Sequence, residues 1–352
     1  MNNTTCKLRN TSFELMRLML MFFIMWHHFI YVLDESLKTP AVITADTFFH
    51  TAVLCFVILS GYFSIHFKIQ RLIELIAQVV FFSFGLTCIA IFCFGIGEWK
   101  GLITSFMPFT NGYYWFIAIY LQLYILAPFI NIILEKINKK QYWYLIMVLS
   151  FLVFYVGMIR GGNVCNDGGK NIINFVLLYC IGNGIKRNET FLCNNIKKMR
   201  YILIGILSIL LAIVLLITSS QNYSLLYIMK FIYTYNSPGL YIMAICIFML
   251  FLTFKFHNNS LNIIAKSSLA IYLFHEHPLM KGLLYQDCIS NIVGNMGGAI
   301  LNMLLLSICL ATAAICIDKV RDYLFEISNK QRKNKVNNDN RLRFSNKSIY
   351  RP

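Results

Sequence analysis

The sequence predicts an all-α protein, a polytopic membrane helix bundle of about ten transmembrane helices with both termini in the cytoplasm. Of its 352 residues, 58% are hydrophobic and 13% are charged, a composition too apolar for a soluble domain. Apolar runs long enough to cross a bilayer recur along the chain, and basic residues are unequally divided between the two sides that these runs define. Length, hydropathy and charge asymmetry therefore predict the same class.

The basic residues are distributed as expected for a membrane topology. The formal net charge of +16 would suggest a nucleic-acid partner in a soluble protein. In a ten-helix topology, however, six of the 31 Lys and Arg fall on the outer side: Lys38, Lys100, Arg160, Lys170, Lys230 and Lys281. Because cytoplasmic loops carry the excess of Lys and Arg, we interpret the charge as a topology signal and expect no nucleic-acid partner.

The apolar runs predict spans over residues 11–33, 47–66, 74–97, 113–131, 141–159, 171–185, 201–218, 239–256, 267–285 and 296–317. No small-residue cleavage site follows the first run, so we interpret it as an uncleaved first helix. We find no internal repeat and no soluble domain. Residues 1–317 are therefore predicted to form one membrane domain, and residues 318–352 a basic cytoplasmic tail that can contact membrane lipid.

The first predicted helix carries ionisable side chains that hydrocarbon disfavours. Arg17 and His28 are eleven residues apart, which places them on one helix face with a rise of about 16 Å between them. Glu14 lies one turn before Arg17, at contact spacing. A cation and an imidazole at two depths suit a site reached from both sides of the membrane. The alternative is a snorkelling helix end, with His28 bonded to another helix.

The ninth predicted helix holds the other polar cluster, Glu276 between His275 and His277. Ionisable groups at this depth usually face a bundle interior or a cavity, which makes the triplet a candidate site; the alternative is a structural network between helices. Neither this triplet nor the pair His27 and His28 has the i, i+4 spacing of a helical zinc site, so we expect no metal. The remaining histidines lie at span edges and are not candidates: His50, His66 and His257.

Two basic residues follow the second predicted span. Lys68 and Arg71 are three residues apart, near in sequence to the face where Arg17 is expected to emerge. Cations gathered at a cytoplasmic entrance suit a phosphate-bearing cofactor, since Arg binds phosphate with paired donors. The alternative, stronger for Lys68, is that they mark topology alone.

Four motifs occur in a fixed order: Arg17 and His28 separated by ten residues, the stretch from Cys55 to Tyr62 with Ser60-Gly61, the series Trp115-Phe116, Tyr124, Pro128 and Asn131, and Tyr272-Leu-Phe-His275. In these motifs the chain resembles the acyltransferase-3 family of integral membrane acyltransferases, which modify cell-surface polysaccharides. It departs from the family in having Lys68 where Arg is common and in the run His275-Glu276-His277-Pro278. The departure leaves Glu276 without a role and leaves open whether His275 or His277 is functional.

The resemblance implies an enzyme, an acyltransferase transferring groups other than aminoacyl groups. It implies transfer from cytoplasmic acyl-CoA, with acetyl-CoA as the default donor, to a hydroxyl of a cell-surface or lipid-linked carbohydrate. The setting would be the bacterial cytoplasmic membrane, with glycan-biosynthesis partners. His28 is expected to act as base and Arg17 to hold the donor. Lys68 and Arg71 are expected to bind the phosphates of the donor. Five further residues are expected to support the site: Glu14, Ser60, Trp115, His275 and Glu276.

Two other functions remain open from the residues alone. Buried charges and many spans also suit a transporter or flippase of a lipid-linked sugar or polysaccharide, although no inverted repeat is evident. A membrane sensor on a vestigial acyltransferase scaffold is the third interpretation. An acyltransferase consumes the thioester, whereas a transporter or a sensor does not.

Overall fold

The computed structural model describes residues 10–348 except positions 34, 110, 111, 113, 161–166, 195, 221–228 and 283–295. Within these ranges every regular element is helical. Seven of the described segments are long and apolar enough to cross a membrane: Ser12–Tyr31, Pro40–Phe63, Ile69–Phe94, Trp115–Lys136, Lys139–Arg160, Lys198–Ser219 and Ile300–Ile327. The prediction of an all-α membrane protein is confirmed at this level.

The α-helices in chain order are α1 (Ser12–Tyr31), α2 (Pro40–His50), α3 (Ala52–Phe63), α4 (Ile69–Phe94), α5 (Trp99–Thr104), α6 (Trp115–Lys136), α7 (Lys139–Ser150), α8 (Ile172–Arg187), α9 (Glu189–Asn194), α10 (Ile196–Ser219), α11 (Lys230–Tyr233), α12 (Pro238–Leu252), α13 (Asn259–Ile264), α14 (Ser268–His275), α15 (Pro278–Gly282) and α16 (Met296–Ser348). A π-helix, Phe151–Arg160, continues α7. Short 3₁₀ turns lie at Glu35–Leu37 and Ala265–Ser267.

Three of the ten predicted spans are shorter than a bilayer crossing needs. The sixth, eighth and ninth correspond to α8, α12 and α14, which have 16, 15 and 8 residues, whereas about 20 are needed. These helices are rich in fully buried side chains, such as Leu177 in α8 and Ala244 in α12. Their apolar residues pack against other helices, and hydropathy alone does not distinguish this environment from lipid.

The second span begins earlier than predicted. Helix α2 starts at Pro40, because Thr39 caps it: the Val42 N–H donates to the Thr39 hydroxyl at 3.4 Å, and proline suits the first helical position. Helix α3 follows directly after Thr51. The segment predicted as a polar loop up to Asp46 is thus largely helical, and Asp46 is buried within the bundle.

The ninth predicted span, 267–285, is not one continuous helix. Helix α14 ends at His275, Glu276 is its C-cap, and α15 starts at Pro278. Proline lacks an N–H and disfavours helical geometry at the residue before it, which ends the helix ahead of His277. The structure describes the chain up to Gly282 and again from Met296. The break brings Glu276 to the end of a buried helix.

The last helix crosses the predicted boundary between membrane domain and tail. Helix α16 is continuous from Met296 to Ser348. Just after position 317, the buried Asp318 accepts hydrogen bonds from Gln78 Nε2 (2.9 Å) and Arg321 Nε (2.8 Å). Because Gln78 belongs to α4, the first turn beyond the boundary is still packed against the bundle.

Helices α3 and α8 approach each other closely through glycine. A Cβ at Gly61 would collide with the backbone carbonyl of Tyr179, and one at Gly182 with that of Ile58. Small residues let helix backbones come together where side chains would separate them.

Candidate active site

The carboxylate of Glu276 lies against the ring of His28. Glu276 Oε1 is 2.6 Å from His28 Nδ1 and 2.8 Å from Lys281 Nζ. The side chains of His28 and Glu276 are 16% and 8% exposed. A carboxylate can only accept, so this approach favours the tautomer of His28 that has its hydrogen on Nδ1 and its lone pair on Nε2. A histidine beside a buried carboxylate is the pairing that acyl-transfer triads use.

The two histidines that flank Glu276 have different surroundings. His275 Nδ1 donates to the Ile271 carbonyl at 2.6 Å, and its ring centroid lies 5.5 Å from that of His28. His277 lies on the other side, with Nε2 at 3.2 Å from both Ser83 O and Thr87 Oγ1 of α4. Of the two, His275 therefore adjoins His28, whereas His277 connects the helix break to α4.

His27 belongs to a second polar network. Its Nδ1 lies 2.7 Å from Asp46 Oδ1, and its Nε2 lies 3.2 Å from Nδ1 of His50. The Tyr233 hydroxyl donates to Asp46 Oδ2 at 2.6 Å, and burial together with this carboxylate raises the pKa of Tyr233. The His50 ring is stacked against Tyr233 and Tyr235, at centroid distances of 4.7 and 4.0 Å. Adjacent histidines of α1 thus join separate networks.

Most of this second network was not predicted from the sequence. His50 was expected at a span edge and Asp46 outside the second span, but both residues are 7% exposed. The threonine-proline pair at residues 39–40 was the available signal, because it marks a helix start that carries Asp46 into the bundle. No local pattern indicated Tyr233.

His28 lines a small enclosed cavity of about 20 Å³. Histidines of both networks line this cavity together with apolar and aromatic side chains. Its walls are formed by Ile24, His27, His28, Phe49, His50, Val53, Trp115, Phe116, Tyr235 and Tyr272. Trp115 packs on Tyr235 at 5.3 Å between centroids, and Lys170 Nζ lies 5.2 Å above the Trp115 ring. The predicted residue Trp115 is thus part of the His28 surroundings.

Arg17 lines a second and larger cavity of about 840 Å³. Its Nη1 contacts both carboxylate oxygens of Glu14, at 2.8 and 2.9 Å, as the spacing predicted. Two lysines and a histidine that the sequence analysis did not select also line this cavity: Lys186, Lys255 and His257. Lys186 pairs with Glu189 at 2.5 Å. The result is a charged cavity with aromatic walls that include Phe13 and Phe63.

The two basic residues predicted to act with Arg17 lie elsewhere. Lys68 and Arg71 are exposed and do not line the Arg17 cavity. The backbone of Lys68 is bound instead to the Tyr124 hydroxyl, which accepts from its N–H at 3.2 Å. The cations gathered around Arg17 come from α8 and from the segment before α13, positions far from α1 in sequence.

The Arg17 and His28 cavities share no lining residue. Ser60 lies on α3, and its hydroxyl donates to the Tyr120 hydroxyl at 3.4 Å. Tyr120 is within electrostatic reach of Arg17, and Phe116, one turn earlier on α6, lines the His28 cavity.

Three potential metal ligands meet beside the small cavity. His28, His275 and Glu276 each offer a ligand atom, all within 4.8 Å of one another. The spacing argument treated each helix separately, whereas these ligands come from α1 and from the end of α14. Lys281 Nζ already neutralises the Glu276 carboxylate, and its charge opposes a second cation there. That no metal takes part stays a prediction.

The comparisons with known proteins agree with the motifs. Residues 10–318 match the acyltransferase domain of the acyltransferase-3 family. No curated protein and no solved structure matched the chain. The match covers almost all of the helical bundle, including α1 and the break at Glu276. The chain therefore belongs to the acyltransferase-3 family and is a membrane acyltransferase.

Proposed function

We propose that this protein is an O-acetyltransferase that moves an acetyl group from cytoplasmic acetyl-CoA to a hydroxyl of a cell-surface or lipid-linked carbohydrate. The observation that carries the proposal is the 2.6 Å contact between His28 Nδ1 and Glu276 Oε1 at the wall of an enclosed cavity. An acyltransferase needs a base for its acceptor, and this pair supplies one.

The chemistry follows from the tautomer. A sugar hydroxyl is a poor nucleophile until its proton is removed, and His28 Nε2 takes that proton while the oxygen attacks the thioester carbon. The resulting imidazolium is stabilised by Glu276. The carbon–sulfur bond then breaks, and the proton passes from His28 to the CoA thiolate. The products are the acetyl ester and free CoA.

The Arg17 cavity supports a phosphate-bearing donor. It combines the cations Arg17, Lys186 and Lys255 with aromatic walls and a volume of about 840 Å³, and guanidinium and ammonium groups are the usual partners of phosphate. Bound there, the nucleotide end of CoA would lie at the Arg17 end of α1. The thioester would extend past Ser60 and Tyr120 to His28, a rise of about 16 Å along the helix.

The size of the His28 cavity favours a short acyl group. The volume of about 20 Å³ is little more than the roughly 10–15 Å³ that one buried water molecule needs. The walls are large apolar side chains such as Phe49 and Phe116. We infer that this space favours a short acyl group such as acetyl over a longer chain.

The remaining details of the proposal concern the acceptor and the membrane. Trp115 and Tyr235 offer aromatic surface beside His28, and aromatic rings combine apolar area with a polar edge. The long apolar helices and the excess of Lys and Arg in the predicted inner loops support a location in a bacterial cytoplasmic membrane. Glycan-biosynthesis proteins are the proposed partners.

Membrane vesicles supplied with radiolabelled acetyl-CoA test the proposal. The wild type should release free CoA and transfer label to a carbohydrate fraction. His28→Gln should reduce the rate by about 10²–10⁴-fold, the contribution of a general base. His66→Gln is the matched control, since His66 lies outside the His28 cavity. Movement of a lipid-linked sugar without consumption of the thioester would favour the flippase instead.

A further inference from the structure

The Tyr272 hydroxyl is buried and has no hydrogen-bond acceptor among the residues that the structure describes. Tyr272 is 4% exposed and lies on α14. Buried polar groups are nearly always paired, so a phenol that is not paired requires an explanation. The peptide N–H of Phe116 lies close to this oxygen. Since an N–H can only donate, it does not accept the phenol proton of Tyr272. That proton can be donated to another group.

Other buried tyrosines of the bundle do have partners for their hydroxyls. Tyr114 donates to the Leu273 carbonyl at 3.0 Å, and Tyr142 donates to the Cys180 carbonyl at 2.6 Å. Tyr179 donates to Asn131 Oδ1 at 2.8 Å. Helix carbonyls and amides therefore satisfy buried phenols elsewhere in the same protein, which makes the Tyr272 hydroxyl an exception tied to its position.

That position is beside the proposed base. Tyr272 lines the same 20 Å³ cavity as His28. It precedes Glu276 by one helical turn, at the spacing where side chains share a face. Its ring is edge-on to His275 at 5.9 Å between centroids, and the His275 ring lies 5.5 Å from that of His28. A donor and a base thus lie around one small enclosed space.

We propose that Tyr272 is a catalytic residue that donates a hydrogen bond to the thioester carbonyl oxygen; this rests on the proposed acyl transfer. When the acceptor oxygen attacks, the carbonyl π electrons move to that oxygen, and the negative charge is stabilised by the Tyr272 hydroxyl. As the carbonyl re-forms, the carbon–sulfur bond breaks and the thiolate takes the proton held by His28. Tyr272 keeps its own proton throughout.

The test compares Tyr272→Phe with Tyr114→Phe, two variants that each remove one buried phenol oxygen from neighbouring rings, 6.0 Å apart. Tyr272→Phe should lower kcat for acetyl transfer by about 10²–10³-fold, as loss of an oxyanion donor does. Its KM for acetyl-CoA and its thermal unfolding temperature in detergent should stay as in the wild type. Tyr114→Phe should show the reverse, a lower unfolding temperature with kcat within about threefold, because it loses a structural hydrogen bond.

The possible outcomes separate this inference from the proposed function. If the wild type consumes acetyl-CoA and Tyr272→Phe retains its kcat, the inference is overturned and the proposed function stands. If the wild type itself transfers no acetyl group, the proposed function fails, and the inference fails with it. Failure of Tyr272→Phe to accumulate in the membrane would also overturn the inference, since it would reveal a structural partner for the hydroxyl.

Discussion

Replacing Glu276 by glutamine tests whether the carboxylate orients His28. The substitution keeps the size of the side chain but removes its charge and adds an amide donor. The contact concerned is the 2.6 Å approach of Glu276 Oε1 to His28 Nδ1, between side chains that are 8% and 16% exposed. An amide nitrogen turned toward Nδ1 would favour the tautomer with hydrogen on Nε2. In that tautomer Nε2 has no lone pair with which to take a proton from the acceptor.

The expected loss has two parts. A hydrogen bond to a charged group contributes about 1.5–3 kcal/mol, and every 1.36 kcal/mol of transition-state stabilisation is a tenfold change in rate, so the lost charge alone predicts about a 10- to 150-fold fall in kcat. A tautomer change adds to this, and the same substitution in serine protease triads reduces kcat by about 10⁴. We therefore expect a kcat between about 10 and 10⁴ times lower than that of the wild type.

The assay is release of free CoA from acetyl-CoA in vesicles that contain equal amounts of each variant. Lys281→Gln is the matched control, because it removes the other partner of the same carboxylate and leaves His28 in place. The Lys281 side chain is 36% exposed, and exposed ion pairs contribute about 0–1 kcal/mol, so this variant should stay within about fivefold. A Glu276→Gln variant that matches the control in kcat would refute the assignment of Glu276 as the orienting acid.

Three further predictions concern other parts of the bundle. Arg17→Gln should raise the KM for acetyl-CoA at least tenfold with little change in kcat, whereas Arg71→Gln should leave both unchanged; initial rates across donor concentrations check this. Gly182→Ala should destabilise the protein by about 3 kcal/mol or more, because its Cβ would meet the Ile58 backbone, and thermal unfolding in detergent measures it. Asp46→Asn should lower the unfolding temperature, since it weakens the contacts to His27 and Tyr233, with a smaller loss of kcat than Glu276→Gln; an unaltered unfolding temperature would contradict this.

The sequence was sufficient to predict the class of the fold. Composition indicated a helical membrane protein, and the cost of ionisable groups in hydrocarbon pointed to Arg17, His28 and Glu276. Helical spacing also predicted the contact between Glu14 and Arg17. These are local inferences, because each depends on residues within one helix or on the average polarity of a segment.

The partners across helices were not predictable in the same way. The contact of His28 with Glu276 joins residues 248 positions apart, and nothing within either segment specifies that they meet. The cations of the Arg17 cavity show the same limit: sequence proximity favoured Lys68, but Lys255 lines the cavity. Which helices are neighbours is determined by tertiary packing, for example by the close approach at Gly182, and a hydropathy pattern does not contain that information.

The organisation around α1 suggests a division of roles between its two histidines. Consecutive residues of a helix point about 100° apart, so His28 faces Glu276 and His27 faces Asp46, yet both line one cavity. The His28 network contains the helix break and Lys281, whereas the His27 network reaches Tyr233 outside the spans. A base must be held in one tautomer. The side chains that contact the acceptor must instead adapt to its shape. We therefore expect substitutions of His28 and Glu276 to act on kcat, and those in the second network to act on acceptor KM and stability.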